Sequence, residues 1–568
     1  MHLTACGGAN KWTSNIERDM LTKAKHLFGI TLDPMLLPIY RFQKPTGRPV
    51  KSLAAVLLPH EVHSCLEEFP SKYAAVFGVE DDWERFWALV RNQRWLREHP
   101  MRHVVSSMPR QCVPFVLHND DAPVSRRVGR SIRATNLIGP LGQGGSSMES
   151  IIPLAVTVND EVFAKAMEET VDSAITWSCI AASENRNPSS HPVPGAKLDR
   201  VREAKAGTAC SKYGRRLIMV GFVGDWMMLA LEFKLPHHYN CEELCMMDRA
   251  RKSGTSLNFG DHRLLAGWTH TERSLSEYFD SLPSDAHRHV FTKLPGWHTF
   301  SFMEDQLHAD CLGPRQHLSG SLLRDLSLEG TFGAVPSSGS WQSRLDVCLL
   351  EASVQFQAFI RRNKLQCSQP TFTVLKLSMH RQDDFPCLKC KGKNSVLVSR
   401  WLLQVVRNQP DSVLKSHRWT CLTGFMGLWD VVHDMRPRWI LTEEERTLLC
   451  RFRECALMSY MWLHEHSVTH GLGKRGYNPT PKLHQIDHMV RRAIATRVSY
   501  HLWWCFKAED LMGRLAKIAL VTHGATCQKR VIQRWLVQWW LWLTDTTPTD
   551  EMAAAMHLDF FAPTPVSG

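Results

Sequence analysis

The sequence has no apolar run long enough to cross a membrane. Its most apolar late stretch, residues 535–543 (WLVQWWLWL), is less than half of the roughly 20 residues that a spanning helix needs. The first residues, MHLTACGGANKW, lack the basic segment followed by an apolar segment that marks a signal peptide. These absences predict a protein of the nucleus or the cytoplasm that does not bind membranes.

A nucleotide-binding loop and a disulfide framework are also missing. The glycines of residues 139–145 (GPLGQGG) are not followed by the Gly-Lys-Ser/Thr of a phosphate loop. The 17 cysteines are odd in number and show no repeated spacing, which is typical of free thiols in a reducing compartment. Phosphate-loop enzymes and disulfide-rich secreted proteins are therefore disfavoured.

The composition is that of a large folded protein with a basic excess. A chain of 568 residues with 44% hydrophobic content can bury a sizeable core, and its length predicts two to four domains. The net charge of +12 favours a polyanionic partner, and we expect DNA. The oligomeric state is left open, with a homo-oligomer among the alternatives.

Acidic residues follow two apolar runs. Residues 113–117 are apolar and lead into Asp120 and Asp121, and residues 217–223 are apolar and lead through a glycine into Asp225. Such runs are typical of strands buried on both faces, so we predict that they are adjacent strands of one sheet. Open α/β sheets place their chemistry at the carboxyl ends of such strands.

The order of elements predicts an α/β fold with a ribonuclease-H-like catalytic core. Three strands (113–117, 131–138 and 151–158) precede a helix at 162–182, the strand at 217–223 and a further helix. Metal-dependent nucleases and transposases use this arrangement. Two Mg²⁺ ions held by carboxylates neutralise the attacking and leaving oxygens of a phosphodiester, and a third acid is expected on a later helix.

The succession HNDDAP, IIPLAVTVN, GDWMML, MEDQLHADCLG and LKCKGKNS resembles the large transposases of the CACTA (En/Spm-like) superfamily. The resemblance covers roughly residues 110–540. It implies metal-dependent cleavage and transfer of DNA strands, with Mg²⁺ or Mn²⁺ as cofactor. No separate amino-terminal DNA-binding module is visible, so a domesticated or inactive copy is an alternative.

The resemblance also assigns catalytic and metal-binding residues. Asp120, or its neighbour Asp121, matches the first acid, and Asp225 matches the second; Asp121 departs from the family, which usually has Gly at that position. Glu509 matches the last acid, which opens a helix in the family, and Asp510 is its competitor. We predict that the carboxyl groups of Asp120, Asp225 and Glu509 converge to within roughly 8 Å.

A short Asp-x-x-His segment gives further alternates. In residues 304–313 (EDQLHADCLG), His308 with Asp305 or Asp310 is either a group close to the metal or part of an ordinary helix start.

Two cysteine pairs were weighed as zinc ligands. Cys241 and Cys245 have a permissible spacing, but residues 246–248 supply no further Cys or His, and a structural zinc site needs four ligands. Cys387 and Cys390 lack a nearby partner pair. The pattern therefore favours packed thiols over zinc.

Basic loops are expected to follow a DNA backbone, because Lys and Arg provide salt-sensitive affinity that does not depend on sequence. These candidates are Lys389, Lys391, Lys393, Lys474 and Arg475. The stretch 41–51 is interpreted as a linker or phosphate-contacting arm. A non-enzymatic nucleic-acid-binding or scaffold protein with the same fold is the alternative function.

The predicted organisation combines a helical amino-terminal region, an interrupted core and a large all-helical insertion. Its segments are 1–100 (helical), 101–260 (core, first part), 261–337 (connection), 338–500 (helical insertion), 501–545 (helices completing the core) and 546–568 (loose tail).

Overall fold

The computed structural model describes residues 32–43, 47–125, 130–159, 168–254, 256–281, 288–369, 371–433, 438–470, 475–522 and 524–546. The chain forms two compact units. The described residues of Met1–Gly224, Pro283–Phe302 and Phe506–Gly568 form the first unit, and those of Asp225–Leu282 and Met303–Cys505 form the second. The fold is mixed α/β, as predicted.

A six-stranded mixed sheet organises the first unit. Its strands are β1 (Met35–Gln43), β2 (Arg48–Val56), β3 (Cys112–Ser125), β4 (Arg130–Ile138), β5 (Ile151–Val158) and β6 (Arg216–Val223). Their order in space is β1-β2-β5-β4-β3-β6. Neighbours are antiparallel except β3 and β6, which run parallel.

The pairing of β3 with β6 confirms that the two apolar runs are adjacent strands. Val113 pairs with Leu217, and the register continues to His118 opposite Val223 after one irregularity. Every residue of β6 after the first is buried, as expected for a strand covered on both faces. On the outer side of β6, Phe222 forms a parallel bridge with Phe302.

Helices of the first unit precede the sheet strands or connect them. They are α1 (Pro59–Leu66), α2 (Pro70–Phe77), α3 (Glu80–Val90), α4 (Arg94–Arg97), α5 (Arg102–Ser107), α6 (Ser147–Ser150), α7 (Ser173–Glu184) and α8 (Arg200–Lys205).

The second unit is helical. Its helices are α9 (Trp226–Glu232), α10 (Leu275–Ser281), α11 (Pro314–Leu328), α12 (Trp341–Arg362), α13 (Gly392–Arg407), α14 (Val413–His433), α15 (Glu443–His470) and α16 (Lys482–Thr496). Helices α14 and α15 make the most extensive helix–helix contact among the described residues of this unit.

Two last helices return to the first unit. Helix α17 (Phe506–Leu520) packs on β3, and α18 (Cys527–Leu543) packs on β5 and β2. Trp535, Trp539 and Trp540 of α18 are buried, which confirms that this tryptophan-rich helix closes the core.

The prediction of an entirely helical amino-terminal region is wrong for residues 35–43 and 48–56. These residues form the hairpin of β1 and β2, which includes most of the stretch 41–51 interpreted as a linker or arm. Met35, Leu37 and Ile39 are buried, whereas Leu36 and Tyr40 are 41% and 47% exposed. This alternation has the period of a half-buried strand and not that of a helix.

The helical unit is larger than the predicted insertion of 338–500. It begins at Asp225, ends at Cys505 and includes α9 to α11, which were assigned to the core and the connection. Lys474 and the tail from residue 547 lie outside the described residues. Among the helices that the structure describes, none combines the length and apolarity needed to span a bilayer.

Candidate functional site

Asp120 lies within β3 on the face of the sheet that α17 covers. Asn136 of β4 donates to Nδ1 of His118 at 3.0 Å and to the sulfur of Met512 in α17 at 3.9 Å. Side chains two residues apart share a strand face, so Asp120 points to the same side as His118. Asp120 is half-buried, and its Oδ1 accepts a hydrogen bond from the backbone N–H of Asp121, which is exposed.

Glu509 and Asp510 both lie in the first turns of α17 and are exposed. Asp510 accepts hydrogen bonds from the Ser147 hydroxyl at 2.5 Å and from Nε of Arg514 at 3.0 Å. Lys507, one turn earlier, donates to the carbonyl of Gly144 at 2.6 Å. The start of α17 is thus tied to the segment that enters β5.

This attachment fixes the level of α17 along the sheet. The first residue of β5 pairs with Ile138, and Ile138 pairs with Val116 of β3. Asp120 lies four residues beyond Val116, which is roughly 13 Å along a strand. These contacts therefore hold Asp510 near the end of β3 that lies away from Asp120. The predicted convergence of the three carboxylates stays a prediction.

Asp225 begins the second unit directly after β6 and Gly224. It occupies the N-cap position of α9, is half-buried, and makes no capping hydrogen bond with its side chain. Lys482, at the start of α16, lies within its electrostatic reach. Burial lowers the pKa of Lys482, and the charges of Asp225 and Asp305 oppose that effect.

Asp305 is saturated with hydrogen bonds. Its carboxylate accepts from Nδ1 of His308 at 2.7 Å and from the backbone N–H groups of Leu307, His308 and Cys505 at 3.1, 3.0 and 2.9 Å. Burial raises the pKa of Asp305, but the His308 ring and the backbone N–H groups of Cys505 and His308 outweigh this and hold the pKa below its ordinary value. These contacts orient His308, and Asp305, His308 and Cys505 together form a second group of potential metal ligands.

Asp310 is committed to an ion pair. It is fully buried, and Nε of Arg315 donates to its Oδ1 at 3.0 Å. Burial raises the pKa of Asp310 despite the guanidinium. The geometry therefore favours a structural role for this alternate.

Four potential metal ligands meet inside the second unit: Cys245, Asp248, His484 and His488. Their ligand atoms all lie within 4.8 Å of one another. Oδ2 of Asp248 is 3.1 Å from Nε2 of His484 and 2.7 Å from Nε2 of His488. The two Nε2 atoms are 3.0 Å apart, and Sγ of Cys245 is 3.5 Å from that of His488. We call these four residues the quartet.

The local structure explains why the quartet side chains converge. His484 and His488 are four residues apart on α16 and so share one helix face. Cys245 and Asp248 lie in one turn, where the N–H of Met247 donates to Sγ of Cys245 at 3.3 Å. Nε of Arg273 donates to the carbonyls of Cys245 and Asp248 at 3.3 and 2.9 Å and holds that turn.

Strong electrostatic coupling marks the quartet. Burial raises the pKa of Asp248, but the two imidazoles outweigh it and hold that pKa well below its usual range. Burial lowers the pKa of His484, whereas Asp248 raises it to about 9. Burial and Asp248 raise the pKa of Cys245, but His488 and His484 bring it below its ordinary value. The site therefore favours the charged forms of the Cys245 thiol and the Asp248 carboxyl, which attract positive charge.

The donor set fits zinc. One thiolate, two imidazole nitrogens and one carboxylate oxygen are ligands that Zn²⁺ takes in tetrahedral sites. Bonds of 2.0–2.3 Å in a tetrahedron place the ligand atoms roughly 3.3–3.8 Å apart. The observed 2.7–3.5 Å separations are close to that spacing.

The quartet corrects the predicted cysteine pair. Cys241 is not part of it, because its thiol donates to the carbonyl of Pro236 at 3.4 Å. Sequence reasoning missed Asp248, His484 and His488. The signal was a Cys-x₂-Asp turn together with a His-x₃-His spacing far downstream.

The other predicted residues lie in the second unit. Lys389, Lys391 and Lys393 are exposed around the start of α13. Arg475 is exposed, with its guanidinium 5.9 Å from the ring centroid of Phe385. The pair Cys387 and Cys390 forms no metal cluster with other residues in the part of the chain that the structure describes.

Comparisons with known proteins add no family to these observations. No protein-family model matches the chain, and no curated protein matches it. The functional assignment therefore depends on the residues and their geometry.

Proposed function

We propose that this protein is a transposase-like enzyme that cleaves and transfers DNA strands with divalent metal ions on a ribonuclease-H-like sheet. The strand order supports this proposal. An antiparallel meander of β3, β4 and β5 is followed by α7 and then by β6, which returns parallel to β3 at the other side. This strand order is the one we expect of a ribonuclease-H-like core, and the Phe222–Phe302 bridge extends the sheet beyond β6.

The register of β3 with β6 is the single observation that carries the proposal. His118 pairs with Val223, and a carboxylate follows each of these residues at the second position, Asp120 in one chain segment and Asp225 in the other. Parallel strands end at the same edge of a sheet, and this register supports the proposal that both acids serve one site.

Asp120 and Asp225 would hold Mg²⁺ or Mn²⁺, with Glu509 or Asp510 as the third acid. Aspartate and glutamate provide the hard oxygen ligands these ions prefer, and both aspartates are half-buried. The bound ions would supply charge neutralisation at the attacking and leaving oxygens of the phosphodiester.

A nicking assay tests this proposal. Purified full-length protein with Mg²⁺ or Mn²⁺ is expected to nick supercoiled DNA, and Asp120→Asn and Asp225→Asn should each lower the rate by at least 10²-fold. Asp280→Asn is the control, because Asp280 is an exposed carboxylate on α10 that is not assigned to the proposed site. Equal activity in all four proteins would overturn the enzyme assignment and favour the non-enzymatic alternative.

We further propose that the quartet is a structural zinc site, favoured by its closed set of four ligands. Elemental analysis of the purified protein is expected to give one zinc per chain. His488→Ala should lose that zinc, whereas His470→Ala, an exposed histidine on α15, should retain it. A zinc-free protein that folds normally in zinc-supplemented medium would overturn this assignment.

A further inference from the structure

Three segments of the second unit that are separated in sequence lie side by side at its surface. Residue Cys367, just after α12, donates from its thiol to Oδ1 of Asn394 in α13 at 3.5 Å. Nδ2 of Asn394 donates to the Ser368 hydroxyl at 3.0 Å. The backbone N–H of Lys389 donates to the carbonyl of Lys376 at 2.8 Å. These contacts join the end of α12, the loop at 376 and the start of α13.

The joined segments are densely basic. Residues 361–400 contain nine Lys and Arg against two Asp, which gives this stretch a net charge of +7, more than half of the +12 of the whole chain. Six of these cationic side chains form what we call the cationic surface: Arg361, Arg362, Lys364, Lys376, Lys389 and Lys391. All six are exposed.

The side chains of the cationic surface form no ion pairs within the described residues. Within the described part of the chain, none of its six side chains lies within 4.0 Å of a carboxylate. Other exposed cations of the same unit are paired, as Arg249 is with Glu277 and Arg263 is with Asp261. Concentrated unpaired charge raises the cost of self-repulsion, which an external polyanion relieves.

Helix α13 adds to this preference. It is 16 residues long and begins at Gly392, directly after Lys391. Its N-cap, Lys391, has no side chain that caps the first backbone N–H groups. Those N–H groups and the helix dipole favour an anion at the same place as the lysines.

The surface offers charge without exposed aromatic rings. Phe356, Phe372 and Trp401 beneath it are 1%, 1% and 4% exposed and stack on one another in the core. Proteins that hold single strands stack the bases on exposed aromatic rings. Contact through phosphates alone suits a duplex, whose bases are covered.

We propose that the cationic surface binds the sugar–phosphate backbone of double-stranded DNA without reading its sequence. The choice of DNA as the duplex rests on the proposed function, whereas the phosphate contact rests on the surface itself. The surface extends the predicted basic loop of Lys389 to Lys393 to the end of α12.

The salt dependence of binding tests this proposal. The full-length protein and a variant with the six residues changed to Gln are titrated against a fluorescein-labelled 30-bp duplex between 50 and 200 mM salt. If each residue contacts one phosphate, the slope of log K against log salt should become shallower by up to about 5 in the variant. A second variant replaces each Arg of the six by Lys and each Lys by Arg. Because the charge is kept, this variant should keep the wild-type slope.

The matched control neutralises six cations of the same unit that are ion-paired: Arg249, Arg251, Arg263, Arg400, Lys415 and Arg438. It should leave the slope within about 1 of the wild-type value. A slope unchanged in the first variant, or equally reduced in the control, would overturn the proposal. So would an effect confined to a single-stranded 30-mer or to vesicles of 30 mol% phosphatidylserine.

The catalytic proposal and this one fail separately. Asp120→Asn and Asp225→Asn should bind the duplex with the wild-type salt slope whether or not the protein nicks DNA. A protein that binds through the cationic surface and never nicks would leave this inference standing and remove the enzyme assignment.

Discussion

Removal of the metal from the quartet should destabilise the second unit. Cys245 and Asp248 belong to one turn, and His484 and His488 belong to α16, which follows more than 230 residues later. A bound ion therefore links two distant parts of the chain. Without the ion, the contacts of Asp248 and Cys245 with the imidazoles of α16 still join these two parts, but more weakly than bonds to a shared metal.

The magnitude follows from binding linkage. Free zinc at a thousand times its dissociation constant stabilises the folded state by about 4 kcal/mol, provided that the unfolded chain does not bind it. For a unit of this size, 1 kcal/mol corresponds to roughly 2–4 °C in Tm. We therefore expect zinc to raise the Tm of the second unit by about 8–16 °C over the chelator-treated protein.

Differential scanning calorimetry of the full-length protein at pH 7.5 measures this shift. The protein is first treated with EDTA and then supplied with zinc or, as a control, with Mg²⁺. His488→Ala should show no zinc-dependent shift, and His470→Ala should show the full one. A shift below about 2 °C in the wild type, or the same shift in His488→Ala, would refute the reasoning.

Three other predictions concern stability. In the metal-free protein, the pKa of His484 is raised to about 9 from its unfolded-state value near 6.5. This shift stabilises the folded state fully below pH 6.5, and the stabilisation is lost as the pH rises towards 9. The free energy of unfolding, measured in urea, should therefore fall between these two pH values, and a rise would contradict the prediction. Arg315→Leu leaves Asp310 buried without its partner and should lower the free energy of unfolding in urea by about 3–5 kcal/mol. The double variant that also carries Asp310→Leu should recover most of that loss. Equal losses in the single and the double variant would contradict the ion pair. Gly424→Ala places a Cβ 2.3 Å from a backbone nitrogen of α15 and should lower the free energy of unfolding by about 1–3 kcal/mol. Gly513→Ala places a Cβ with no atom within 4 Å and should raise the free energy of unfolding by about 0.5–1 kcal/mol. A higher Tm for Gly424→Ala than for Gly513→Ala would contradict the packing.

The adjacency of β3 and β6 could be predicted because the sequence carries its cause. A strand covered on both faces must be apolar at every position, so residues 113–117 and 217–223 read as continuous apolar runs. The hairpin of β1 and β2 was missed because its alternation is partly masked by Leu36 and Tyr40, which are apolar but exposed.

The quartet could not be predicted from local spacing. Cys241 is the nearest cysteine to Cys245 in the sequence, yet the ligands that meet Cys245 in space come from α16. Nothing in a single sequence states which distant segments pack together. The level at which α17 crosses the sheet is likewise decided by contacts with the Ser147 and Gly144 segment, so the identity of the third acid needs a measurement.

Diffraction from crystals soaked in Mn²⁺, recorded at the manganese absorption edge, tests the central claim most directly. The account predicts anomalous density for at least one ion bonded to carboxylate oxygens of both Asp120 and Asp225, with Asn at either position removing it. Density at the quartet alone, or Asp120 and Asp225 too far apart to share an ion, would contradict a metal-dependent nuclease core.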